Sequence, residues 1–129
     1  MSEEISNLPP VVQERLLRLQ QLQQTLQATL AQKQQIDLEL GETDSALEEM
    51  QKVADDVQIY KSIGSLLIKT EKAKIAAELT ERKELLNTRV SVLTKQEERL
   101  RSQMKDLQTK LQQDLNPVSP RSSESSPPP

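Results

Sequence analysis

The stretch that decides the fold is Val57-Gln58-Ile59-Tyr60-Lys61-Ser62-Ile63-Gly64-Ser65-Leu66-Leu67-Ile68-Lys69-Thr70. It is rich in β-branched and large apolar residues and is interrupted at Ile63-Gly64-Ser65, which predicts two short strands around a tight turn. A lone two-stranded hairpin is marginally stable in water, and its open edges invite pairing with other chains. The hairpin therefore predicts that this chain works as a subunit joined to its partners through strands.

The residues on both sides of the hairpin have the hydrophobic period of long helices. Pro9-Pro10 marks a helix start, and apolar residues then recur at intervals of four and three as far as Val57, with a slip of phase between Leu19 and Leu22 and with Ile36 in the stripe. After the hairpin, the same period continues across 75–111 and includes Leu86 and Leu93. Two arms of similar length joined by a short hairpin must run antiparallel. With Gly64 as the pivot, residue n is expected roughly opposite residue 128 − n.

The expected architecture is mainly α, an antiparallel two-helix coiled coil with one β-hairpin connecting the two long helices. The Pro/Ser-rich end of the chain has almost no apolar content, so we expect it to be disordered. The expected segments are an N-terminal tail at 1–8, a first helix at 9–56, the hairpin at 57–70, a second helix at 71–115 and a disordered tail at 116–129.

The composition argues against a compact globular core and against catalysis. The hydrophobic fraction is 34%, Tyr60 is the single aromatic residue, and Cys and His are absent. Most zinc sites and most nucleophile–base pairs are therefore ruled out, and no phosphate-binding loop motif occurs. Carboxylate pairs such as Glu48-Glu49 could bind a hard cation in principle, but adjacent carboxylates on a helix point in different directions. We predict no enzyme activity, no cofactor and no metal.

The charge distribution indicates how the two helices meet. The net charge of −3 argues against nucleic acid as the main partner. Residues 1–56 carry 4 basic and 11 acidic side chains, whereas residues 57–129 carry 13 and 9, so opposite charges are expected to face each other across the seam. The alternative is two solvated helix faces that happen to differ. No apolar run has transmembrane length and the N-terminus is acidic, so the expected location is cytoplasmic, with no membrane partner.

Surplus apolar residues at the free ends of the arms form the first candidate binding surface. Val11-Val12 and Leu16-Leu17 are adjacent pairs, which is more apolar surface than a two-helix seam can bury. Exposed apolar patches often mark binding sites. The alternative is a seam that closes normally and frays at its ends. The candidate residues, called the tip set below, are Leu8, Val11, Val12, Leu16, Leu19, Met104, Leu107, Leu111 and Leu115.

The hairpin is the second candidate surface, because both of its faces carry large apolar groups. Such strands are typically covered on one side and paired at their edges. The alternative is a hairpin folded onto its own arms. The apolar residues in question, called the hairpin set below, are Val57, Ile59, Tyr60, Ile63, Leu66 and Ile68.

The pattern Val57-x-x-Tyr60-Lys61-x-x-Gly64-x-Leu66-Leu67-Ile68-Lys69, set between two long helices, resembles the β-class subunit of prefoldin, a cochaperone. The resemblance covers about residues 9–115, and the compact chain looks archaeal. A single hairpin is similar to the β class, whereas the α class has two. The Ser/Pro-rich tail is outside the common pattern of the family.

This resemblance implies a heterohexamer of two α-type and four β-type subunits, in which the hairpin set makes the assembly contacts. The tip set would hold unfolded client proteins without ATP, for transfer to a group II chaperonin. A different class of function also fits the residues. It is a coiled-coil scaffold whose apolar tips dock one defined folded partner.

Overall fold

The computed structural model describes residues 7–116. Residues 1–6 and 117–129, which make up most of the two predicted tails, lie outside the described residues. The order of elements is helix α1, strands β1 and β2, and helix α2, which span Pro10–Lys52, Ile59–Ile63, Leu66–Thr70 and Lys72–Leu115. The predicted fold class is confirmed, since two long helices are joined by one antiparallel hairpin.

Helix α1 begins where the prolines predict and ends at Lys52, earlier than the expected boundary at residue 56. The Pro9 carbonyl oxygen accepts hydrogen bonds of 3.0 and 3.1 Å from the backbone N–H groups of Val12 and Gln13, and Pro10 takes the first helical position, where no N–H is needed. After Lys52 the chain turns, and the Val57 N–H donates to the Ala54 carbonyl oxygen at 3.2 Å. This turn contains two aspartates, which are weak helix formers.

The hairpin has a two-residue loop and a register that runs from Ile59 opposite Thr70 to Ile63 opposite Leu66. Gly64 has a φ of 59°, and the following residue, Ser65, has no positive φ. This combination is typical of a type II′ turn, which takes glycine at its first central position and matches the twist of the flanking strands.

The chain divides into two compact units. Of the described residues, 7–29 and 96–116 belong to the terminal unit, and Leu30–Lys95 form the hairpin unit. In the hairpin unit the core joins the two helices, because Ile36 of α1 packs with Leu86 and Leu93 of α2. All three side chains occupy positions that the hydrophobic spacing assigned to the seam. Each such side chain stabilises the fold by about 1.5–3 kcal/mol when it leaves water.

Ion pairs cross between the helices of the hairpin unit with the polarity that the charge distribution predicts. Lys83 Nζ lies 2.8 Å from Asp44 Oδ1, and Arg82 Nη2 lies 3.9 Å from Glu39 Oε1. Exposed pairs of this kind contribute only about 0–1 kcal/mol each. Their main effect is therefore on the register and orientation of the two helices.

The terminal unit has its own core and its own marker of register. Its buried apolar residues are Val12, Leu22, Leu26, Leu100 and Leu111. Arg15 of α1 forms an ion pair with Asp114 of α2, one residue from the partner position that the antiparallel register predicts. Buried Thr29 donates its hydroxyl hydrogen to the Thr25 carbonyl oxygen at 2.9 Å, so this polar group in the seam is satisfied.

Candidate partner-binding surfaces

One face of the hairpin is fixed to the rest of its own unit. Ile59 is buried, and Lys61, two residues further along β1 and therefore on the same face, reaches helix α2. Lys61 Nζ lies 2.9 Å from Glu78 Oε2. This hydrogen bond lowers the pKa of the Glu78 carboxyl from its ordinary value. The contact joins this face of the hairpin to helix α2.

The same face remains apolar and exposed further towards the turn. Directly paired residues in an antiparallel sheet share a face, so Ile68 lies beside Lys61, and Ile63 lies beside Leu66. Ile63, Leu66 and Ile68 are all exposed. Of the hairpin set, Ile59 alone is buried. It holds the hairpin to its own chain, whereas the others are available to a partner.

The opposite face of the hairpin is also apolar. Tyr60 is exposed and pairs with Lys69, and the next pair on this face is Ser62 with Leu67. Leu67 has 72% of its surface exposed, although it was not included in the hairpin set. The signal for it was the uninterrupted run Leu66-Leu67-Ile68, since a strand with consecutive large apolar residues must present them on both faces.

The hairpin therefore offers a partner both apolar side chains and free backbone groups. Within the described residues the sheet has two strands, so each strand has one unpaired edge. Long apolar edges are sites at which another chain adds a strand. The large apolar residues exposed on the hairpin and in the turn before it are Val57, Tyr60, Ile63, Leu66, Leu67 and Ile68.

The structure divides the tip set by burial. Val12 and Leu111 lie in the core of the terminal unit, whereas Val11 and Leu115 are exposed. The remaining residues are half-buried and are Leu8, Leu16, Leu19, Met104 and Leu107. The buried pair holds the helices together, so the surface open to a partner is smaller than the tip set.

An open groove of about 490 Å³ lies between the two helices of the terminal unit. Its apolar lining comes from Val11, Leu17 and Leu107, and Arg18 and Lys110 are among its charged residues. Leu17 is 57% exposed but was not in the tip set. The sequence indicated an exposed residue here through the adjacent pair Leu16-Leu17, of which one member faces outward.

The described residues show no arrangement suited to a metal or to a membrane span. Residues 7–116 contain no group of three or more His, Cys, Asp or Glu side chains that could hold a metal ion. Neither helix in this part of the chain combines the length and the apolar character needed to cross a bilayer. The two candidate functional features of this part of the chain are the apolar hairpin and the groove of the terminal unit.

Comparisons with known proteins agree with this architecture. The family model of prefoldin subunits matches residues 13–117. The prefoldin subunit beta of Methanothrix thermoacetophila is 46% identical over 114 residues, which cover 88% of this chain and 95% of that protein. The prefoldin subunit beta of Archaeoglobus fulgidus is 45% identical over 113 residues, which cover 88% of this chain and 97% of that protein.

A solved structure extends the match from sequence to backbone. The crystal structure of the prefoldin beta subunit from Thermococcus strain KS-1 superimposes with a TM-score of 0.79 and is 41% identical in sequence. The match covers 84% of this chain and 96% of that chain. With the family model matched over most of its length and β subunits similar in both sequence and backbone, the chain belongs to the prefoldin subunit family.

Proposed function

We propose that this chain is a subunit of a cytoplasmic hexameric cochaperone that holds unfolded proteins without ATP and delivers them to a group II chaperonin. The proposed hexamer contains two α-type subunits and four copies of this β-type chain. The observation that carries the proposal is the hairpin. In the single chain both of its faces expose large apolar side chains, and both of its edges have unpaired backbone groups.

Assembly through the hairpin is supported by energetics as well as by geometry. Large apolar side chains such as Leu66 and Leu67 contribute about 1.5–3 kcal/mol each when they pass from exposed to fully buried. Added strands would also satisfy the backbone groups at the free edges. Both gains are realised only in a complex, so the proposed assembly gives the exposed hairpin a physical role.

Client holding is assigned to the exposed apolar residues of the terminal unit, chiefly Val11, Leu17 and Leu115. One such patch is small and would bind an unfolded segment weakly. Several copies in one complex raise the effective concentration around a single client, so the client is held while each contact stays reversible. Weak contacts of this kind need no nucleotide for release.

The assembly claim is tested by placing a charge on the exposed face of the hairpin. Because Leu67 makes little contact with its own chain, Leu67→Asp should leave helix content unchanged while native mass falls to that of monomers or dimers. Ser91→Asp adds the same charge at an exposed helical position and should preserve the hexamer. A Leu67→Asp protein that still assembles fully would contradict assembly through the hairpin.

A further inference from the structure

The groove of the terminal unit combines an apolar lining with positive charge. Val11, Leu17 and Leu107 supply apolar surface, and Arg18 and Lys110 are basic residues of the same lining. The two remaining charged residues of the lining are Glu14 and Arg15, and Arg15 is already engaged by Asp114. Because Asp114 pairs with Arg15, the remaining charges of the lining are Arg18 and Lys110 against Glu14, and the groove has a net positive charge.

Two of the three basic residues of this lining, Arg18 and Lys110, form no ion pair among the described residues. Some basic residues of the hairpin unit are engaged instead, since Lys83 pairs with Asp44, and Lys61 pairs with Glu78. A carboxylate that arrives with a bound chain would therefore meet two cations that are not held in an ion pair of their own chain.

We propose that this groove selects, among unfolded client segments, apolar segments that are flanked by Asp or Glu. The inference rests on the proposed function, and it adds a class of preferred segment. The apolar lining takes the hydrophobic side chains of the client, while Arg18 and Lys110 attract the flanking carboxylates and repel flanking Lys or Arg.

The expected preference is modest, because both cations belong to an open, solvated groove. Two exposed charge pairs of ordinary strength correspond to a difference of about threefold to tenfold in Kd. Such a difference falls as salt screens the charges, whereas the apolar contribution remains. The preference should therefore be salt-sensitive even where total binding is not.

The test uses the assembled complex and three labelled unfolded peptides with one apolar core, flanked by Asp, by Gln or by Lys. Fluorescence anisotropy gives each Kd at low and at high salt. We expect the Asp-flanked peptide to bind about threefold to tenfold more tightly than the Lys-flanked peptide at low salt, with the Gln-flanked peptide between them. The differences should shrink at high salt.

Paired variants assign the preference to the groove. Arg18→Gln combined with Lys110→Gln should remove the preference, so that the three peptides bind alike at low salt. Lys95→Gln combined with Arg99→Gln removes the same charge from exposed positions outside the groove and should keep the preference. Loss of the preference to the same degree in both double variants would overturn the proposal, because net charge alone would then explain it.

The outcomes also separate this inference from the function on which it rests. Equal binding of the three peptides by a complex that still suppresses aggregation would overturn the charge preference and leave client holding in place. If no peptide binds and aggregation is not suppressed, the proposed function fails together with the inference.

Discussion

Lys72 Nζ donates a hydrogen bond of 2.7 Å to the carbonyl oxygen of Val53. Lys72 is the first residue of α2, and Val53 directly follows the last residue of α1. The carbonyl end of a helix carries partial negative charge, so a cation placed there is stabilising. A second bond of 3.2 Å from Lys72 to Asp55 adds to the contact. One side chain therefore joins the helix ends on the two sides of the hairpin.

We expect Lys72→Met to lower the free energy of unfolding by about 1 kcal/mol, because the substitution keeps the aliphatic stem and removes the hydrogen bonds from the cation. Urea unfolding of the purified chain at fixed protein concentration measures the change. Lys95→Met is the control, since Lys95 is exposed and its loss should change stability little. Equal losses in the two variants would contradict the role of Lys72.

Two adjacent leucines of α2 test the position of the seam. Leu86 is 3% exposed and belongs to the core of the hairpin unit, whereas Leu85 is 60% exposed. Leu86→Ala should therefore cost about 2–5 kcal/mol of unfolding free energy, and Leu85→Ala less than about 0.5 kcal/mol. Chemical denaturation measures both changes. Similar costs for the two substitutions would show that α2 does not pack in this orientation.

The sequence predicts the seam and the hairpin well because each follows a regular period. The spacing of four and three placed Ile36 and Leu86 in the seam, and Ile63-Gly64-Ser65 marked the turn. The end of α1 could not be predicted in the same way. The apolar spacing continues past Lys52 to Val57 and gives no stop signal. Lys72, which caps this end of the helix, lies 19 residues beyond the Val53 carbonyl to which it donates.

Adjacent apolar pairs mark the second limit of prediction from sequence. A pair such as Leu16-Leu17 shows that one side chain is surplus to the seam, but which one depends on the rotation of the helix about its axis. The structure leaves Leu17 exposed and Leu16 half-buried. On the hairpin, side chains alternate between the two faces, and this alternation does not show which of them are exposed. Leu67 was therefore left out of the hairpin set, although the structure leaves it exposed.

The bond between Lys61 and Glu78 predicts how stability depends on pH. This hydrogen bond lowers the pKa of Glu78 below the ordinary value of 4.5. Its contribution is therefore fully present above pH 4.5 and is lost as the pH falls through the folded-state pKa. Glu78→Gln should be less stable than the parent chain near neutral pH, and the difference should narrow below pH 4.5.

Denaturation curves recorded over a range of pH values measure this narrowing. Glu81→Gln removes the same charge from an exposed position of α2. Glu81 has no ion-pair partner among the described residues, so this control should show a smaller dependence on pH. If the difference in unfolding free energy between the parent chain and Glu78→Gln widens as the pH falls, the contribution assigned to the Lys61–Glu78 bond is contradicted.

Two adjacent valines of α1 separate client binding from stability. Val11 is 48% exposed and lines the groove, whereas Val12 is 2% exposed and lies in the core of the terminal unit. We expect Val11→Ser combined with Leu17→Ser to weaken the suppression of client aggregation about twofold to fivefold without lowering stability, since about 0.4–1 kcal/mol of apolar contact is lost only from the complex with the client.

The matched substitution Val12→Ser should act on stability instead. It removes buried apolar surface and introduces a hydroxyl into the core, at a cost of about 1–3 kcal/mol. Light scattering of an aggregating client and thermal unfolding of the complex give the two readouts. If Val11→Ser combined with Leu17→Ser leaves the suppression of client aggregation intact, client holding does not use this groove.

The most direct test of the account is the native mass and subunit composition of the complex that forms around the tagged chain in its own cells. After gentle purification, native mass spectrometry should find a hexamer with four copies of this chain and two copies of an α-type partner that has two hairpins. A homodimer, or a one-to-one complex with a single folded protein, would contradict the cochaperone account and support a scaffold that docks one partner.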